Sequence, residues 1–78
     1  MHLDVVIGSF PRRMLCPDEL PLERWIHSLK HRGTLDLRYD YDVTDDLGNP
    51  LDMSKRAAQN GLRAESRIFI SRKPGEAA

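Results

Sequence analysis

The side chains with the most chemistry to offer are two histidines, one cysteine and a run of aspartates. His27 and His31 stand four residues apart, a spacing that on a helix brings two imidazoles to one face and would hold a zinc ion if third and fourth ligands approached. Ser28-Leu29-Lys30 between them lacks the glutamate that serves as general base in a metalloprotease helix, so the pair reads as a polar helix face. Cys16, the only cysteine, precedes Pro17 and has no histidine placed by sequence to activate it, so it reads as a small, half-buried residue. Asp36, Asp40 and Asp42 alternate with apolar residues and are expected to form an acidic stripe along a strand, solvated or facing a partner. The glycine-punctuated ligand loop of a calcium site is missing. No catalytic group, metal or cofactor is expected.

Composition narrows the function classes further. A chain of 78 residues, 40% hydrophobic and 31% charged, has a folding composition and room for one core, with little left for a deep catalytic pocket. Twelve lysines and arginines balance twelve aspartates and glutamates, which leaves no overall field to draw a nucleic-acid backbone or an anionic membrane. The signs are segregated, with Asp36, Asp40, Asp42, Asp45, Asp46 and Asp52 followed by Lys55, Arg56, Arg63, Arg67, Arg72 and Lys73, a dipolar surface that suits a protein partner. A single cysteine excludes an internal disulfide and fits a reducing, cytoplasmic compartment. No signal peptide is visible, and no segment approaches the roughly 20 apolar residues of a membrane span.

The elements that must position these groups follow from periodicity. Leu3, Val5 and Ile7 alternate with His2, Asp4 and Val6, which predicts a first strand; Gly8-Ser9-Phe10-Pro11 turns, and residues 12–16 return as the second arm of a hairpin. Residues 17–21 form a helix entrance with Asp18 as cap and Pro21 in the first turn, and Leu22, Trp25, Ile26 and Leu29 make one apolar stripe ended by Gly33. Leu35, Leu37, Tyr39, Tyr41 and Val43 then alternate with Asp36, Arg38, Asp40, Asp42 and Thr44, which predicts one long strand. A turn at residues 45–50 leads to a short edge strand at Leu51, a helical turn or two over residues 54–60 stopped by Gly61, and a last strand over residues 66–72 with Ile68 and Ile70 inward and Phe69 outward. A single amphipathic helix needs a sheet to cover its stripe, so the expected fold is a two-layer α+β domain in the order ββαββ(short α)β.

That order resembles ubiquitin, above all at Gly61-Leu62-Arg63-Ala64-Glu65-Ser66-Arg67-Ile68-Phe69-Ile70, which is similar to the stretch leading into ubiquitin's last strand. The resemblance implies a ubiquitin-like β-grasp over residues 1–73, with a mixed sheet of four or five strands on one main helix and a flexible tail over residues 74–78. It implies one of two roles, neither of them enzymatic. In the first, favoured by the basic stem, the chain is a bacterial-type protein modifier: a peptidase trims the tail to Gly75, and activating and conjugating enzymes use the stem Arg72-Lys73 and the new glycine terminus. In the second it is a non-conjugated accessory subunit, like the YukD-like proteins of type VII secretion or a monooxygenase-associated subunit, and binds partner proteins through its sheet face. Val6, Asp40, Asp42 and Phe69 are the expected partner-binding residues, with Phe69 beside Val6 if the first and last strands pair.

Overall fold

A computed structural model describes residues 1–74. Its elements are β1 (His2–Ile7), β2 (Phe10–Leu15), α1 (Leu22–His31), β3 (Tyr41–Asp45), a 3-10 turn (Ala58–Asn60) and β4 (Arg67–Arg72). The strands form one mixed sheet in the order β2-β1-β4-β3, with β1 and β4 parallel and the other two pairs antiparallel. The hairpin between β1 and β2 pairs Ile7 with Phe10, so only Gly8 and Ser9 lie in the turn. Gly8 supplies the positive φ of 66° that this tight connection requires at its first position.

The helix stripe meets the inner face of the sheet. Leu22, Trp25, Ile26 and Leu29 are buried with Leu3 and Val5 of β1, Val43 of β3 and Ile68 and Ile70 of β4, while Leu35, Ala57 and Leu62 close the core from the loops. Removing each large apolar side chain from water contributes about 1.5–3 kcal/mol, and these residues are the main source of stability.

The helix entrance differs from the expected one. Pro21 occupies the cap position and makes no side-chain cap bond. The first helical amides donate across the molecule instead, Leu22 N to the Lys55 carbonyl at 3.0 Å and Glu23 N to the Met53 carbonyl at 2.9 Å. Those distant carbonyls leave Asp18 free to accept from the Met1 ammonium at 2.8 Å, an exposed pair that fastens the N-terminus rather than the helix. At the other end Gly33, with φ of 81°, closes α1, and Thr34 N and Leu35 N donate back to the Leu29 carbonyl.

The long alternating strand and the fifth strand are both corrected. Only Tyr41–Asp45 pairs with β4, because the segment before it folds on itself. The Asp36 carboxylate accepts from the Arg38 amide at 2.9 Å and from its guanidinium at 2.9 and 3.1 Å, and Tyr39 N donates to the Asp36 carbonyl. Such local bonds offer the backbone an alternative to the ladder. Beyond β3, residues 50–51 make an isolated bridge between Thr44 and Pro50 and one bond from Leu51 N to the Val43 carbonyl. Among the described residues the strands number four, the lower of the two expected counts, in the order ββαβ, short 3-10 turn, β.

Candidate functional site

The outer face of the sheet carries the residues that the sequence marks for recognition. Parallel pairing sets Val6 directly opposite Phe69; on the far side of β1 Pro11 faces Val6, and on the far side of β4 Thr44 faces Phe69. These four residues form a row straight across all four strands. Phe69 keeps 36% of its surface exposed, while Val6, pointing the same way, keeps 8%. Strand alternation sends both away from α1, because their neighbours Val5, Ile68 and Ile70 fill the inner face.

Charged residues border this row on one side. Arg13, Asp4 and Arg67 are neighbours on adjacent strands. Arg67 Nε donates to Asp4 Oδ2 at 2.7 Å, and Arg13 reaches Glu65 at 2.7 Å. Exposed pairs of this kind add little stability, but they fix the direction of long side chains and leave a polar rim around an apolar centre. On the other side Asp42 faces Ser71. Thr44 stands on the outward side of the sequence alternation, whereas Pro11 and the Asp4–Arg67 pair carry no such mark, because their place beside this row depends on strand register.

Asp40 lies elsewhere. It precedes β3, is exposed, and stands 3.7 Å from Lys30 of α1. Asp36 is drawn into its own turn with Arg38, which holds its carboxyl down at about 2, mainly through the guanidinium hydrogen bond and the amide of the same residue. Three aspartates that alternate in sequence therefore go to three places, and the expected acidic stripe does not form. Of the four partner-binding candidates, the structure brings Val6 and Phe69 together, sets Asp42 near them on the same face, and leaves Asp40 at the helix side.

The tail candidates leave the sheet at the end of β4. Arg72 lays its guanidinium over the Tyr39 ring, 4.4 Å from the centroid, and Lys73 N donates to the Asp40 carbonyl at 3.0 Å. Gly75 lies outside the described residues. Beside Lys73, an open cleft of about 390 Å³ runs between α1 and β3, lined by Glu23, His27, Lys30, Asp40 and Tyr41. Both signs of charge meet there, with Lys30 drawn toward Asp40.

Cys16 is fully buried rather than half-buried, and desolvation pushes its thiol up to about 11, so it stays protonated at neutral pH. His27 and His31 share the exposed side of α1 with their Nε2 atoms 2.9 Å apart. Among the described residues no group of three or more histidines, cysteines, aspartates or glutamates is placed to hold a metal ion. No helix among them is long and apolar enough to cross a membrane.

No protein-family model matches the chain, and no curated protein matches it. Among solved structures it is similar to a chain in the crystal structure of ATBAG1 in complex with HSP70, at a TM-score of 0.75 and 8% identity, over 99% of this chain and 42% of that one. This chain thus spans less than half the length of its structural neighbour. At this identity the likeness carries the fold alone. Four mixed strands on one helix, with the terminal strands parallel at the centre, agree with a β-grasp.

Proposed function

We propose that this chain is a ubiquitin-like recognition domain that performs no chemistry itself and docks a partner protein on the outer face of its sheet. The observation that carries the reading is the Val6–Phe69 pair at the centre of that face. The aromatic ring is exposed, and its backbone is fixed by ladders on both sides because β4 lies between β1 and β3. A rigid aromatic at the centre of a patch loses little conformational entropy on binding and tends to dominate the binding energy. The rim formed by Asp4, Arg13, Arg67 and Asp42 then sets orientation and excludes partners of the wrong charge.

A second reading is supported by a different feature. The basic pair Arg72-Lys73 leaves the end of β4, and Gly75 follows two residues later in the sequence. That order suits a modifier trimmed to Gly75 and activated at its new carboxylate.

One set of variants separates the two. The full chain, Phe69→Asp and a form lacking residues 73–78 are each used to capture partners from the native host extract, with adducts scored in parallel on denaturing gels. Recognition through the sheet predicts a partner held by the full chain and by the tail-less form, and lost with Phe69→Asp. Retained affinity in Phe69→Asp overturns it. Covalent adducts that vanish with Gly75→Ala establish the modifier.

A further inference from the structure

The solvent side of α1 holds an arrangement that the sheet face does not use. His27 and His31 are exposed, lie one helical turn apart, and bring their Nε2 atoms to 2.9 Å, with ring centroids 4.4 Å apart and ring planes at 72°. The apolar stripe of Leu22, Trp25, Ile26 and Leu29 faces the core, and the two imidazoles lie outside it. Two imidazole nitrogens at this distance form an N–H···N hydrogen bond, one ring donating and the other accepting, and a divalent cation can take the place of the shared proton when that proton moves to the ring's Nδ1.

The distance selects among cations. With metal–nitrogen bonds of about 2.0–2.1 Å, two ligands at the right angle of a square-planar or octahedral ion stand about 2.8–3.0 Å apart. The wider angle of a tetrahedral ion such as zinc requires about 3.3–3.4 Å. The 2.9 Å of the hydrogen-bonded pair also fits the right-angle geometry, so such an ion could replace the proton with little movement of either ring. Imidazole is also a donor that copper and nickel favour, and copper(II) stands highest in the general order of divalent affinities. We propose that His27 and His31 form an exposed two-point chelate for a divalent ion of square-planar or octahedral preference, Cu2+ or Ni2+ rather than Zn2+, with water in the remaining positions. The lack of a third nearby histidine, cysteine, aspartate or glutamate among the described residues makes this an open, exchangeable site rather than a structural one. Lys30, which lines the same cleft as His27, lies 3.7 Å from Asp40, which offsets part of its repulsion.

Calorimetric titration of the full chain with Cu2+, Ni2+ and Zn2+ in turn, followed by thermal unfolding with and without Ni2+, tests the site. The expected result is one equivalent of Cu2+ or Ni2+ bound, Ni2+ held more tightly than Zn2+, and a rise in Tm that comes from binding the folded helix alone. Because two linked donors bind far better than one, His27→Asn and His31→Asn should each weaken binding by about 10²-fold and abolish the rise in Tm. Both positions are exposed, so the variants fold. His2→Asn controls for capture at the chain terminus and should leave binding unchanged. Undiminished affinity in either helix variant, loss of binding in His2→Asn, or tighter binding of Zn2+ than of Ni2+ each overturns the proposal.

Discussion

β4 and the segment at residues 34–40 satisfy their backbones in opposite ways. β4 lies inside the sheet, bonded to β1 along one edge and to β3 along the other, so its groups find partners on chains remote in sequence. Residues 34–40 rely mostly on bonds to near neighbours in sequence: Asp36 holds Arg38, Tyr39 N reaches the Asp36 carbonyl, Tyr41 Oη accepts from Asp36 N at 2.9 Å, and Thr34 N and Leu35 N donate back to the Leu29 carbonyl. The first region is therefore held by long-range packing and the second by a short polar circuit. Substitutions and pH should act on them differently.

The packed side is the place for the largest effect. Trp25 is fully buried in the core with β1 and β4, and its Nε1–H has no hydrogen-bond partner among the described residues. Trp25→Ala should cost about 3–5 kcal/mol, a large part of the stability of a small domain, as read by urea unfolding. Trp25→Phe should cost less, because it keeps most of the buried ring and removes the unpartnered N–H. A Trp25→Ala variant that unfolds at the wild-type urea midpoint would mean that the helix does not cover the sheet.

Leu35 and Leu37 carry the comparison to a single pair of residues. Both lie on the apolar side of the sequence alternation, yet Leu35 is 4% exposed and Leu37 60%. Leu35→Ala is expected to cost about 2–5 kcal/mol, the range for emptying a buried leucine site, and is measured in the same assay. Leu37→Ser should stay within about 0.5 kcal/mol of wild type. Equal costs at the two positions would restore the long strand and undo the contrast.

These two leucines also mark how far the sequence could be read. The β1 and β4 patterns and the helix stripe were legible because burial on one face leaves a periodic trace: Leu3, Val5, Ile68 and Ile70 all point inward, and so do Leu22, Trp25, Ile26 and Leu29. Residues 35–40 carry the same alternation without forming a strand, since the Arg38 amide reaches the Asp36 carboxylate only if the chain turns, and a two-residue period does not register that bond. Leu51 was read as a strand from its turn and proline, but it makes a single ladder-like bond to Val43. At the candidate site, Phe69 and Val6 could be placed together once the terminal strands were taken as parallel. Asp40 could not be placed, because its partner Lys30 lies on the helix and nothing in the alternation points there.

Within the polar circuit the hydroxyl of Tyr41 links the turn to β3. Tyr41→Phe removes the acceptor of the Asp36 amide and should cost about 0.5–1.5 kcal/mol, less than any of the core truncations. The loss should be local: amide exchange quickens at residues 36–39 while β4 keeps its protection. Faster exchange in β4 as well would show that the two regions share one support.

The smallest effect is an acid titration confined to the same circuit. The Asp36 carboxyl is held at about 2, against an ordinary 3.8, by the Arg38 guanidinium and amide. A folded value below the unfolded one means that the contribution is fully present above about pH 4 and is lost as the pH falls through about 2. Because the carboxylate lies at the surface, water and salt screen the pairing, and the consequence is a loosened turn rather than an unfolded domain. Followed by carboxyl NMR, Asp36 should titrate near 2 in the wild type and return toward 3.8 in Arg38→Ala, with the Val5–Ile68 pairing of β1 and β4 indifferent to the change. An Asp36 that titrates at the ordinary value in the intact chain would remove the polar circuit as the reason that residues 34–40 leave the sheet.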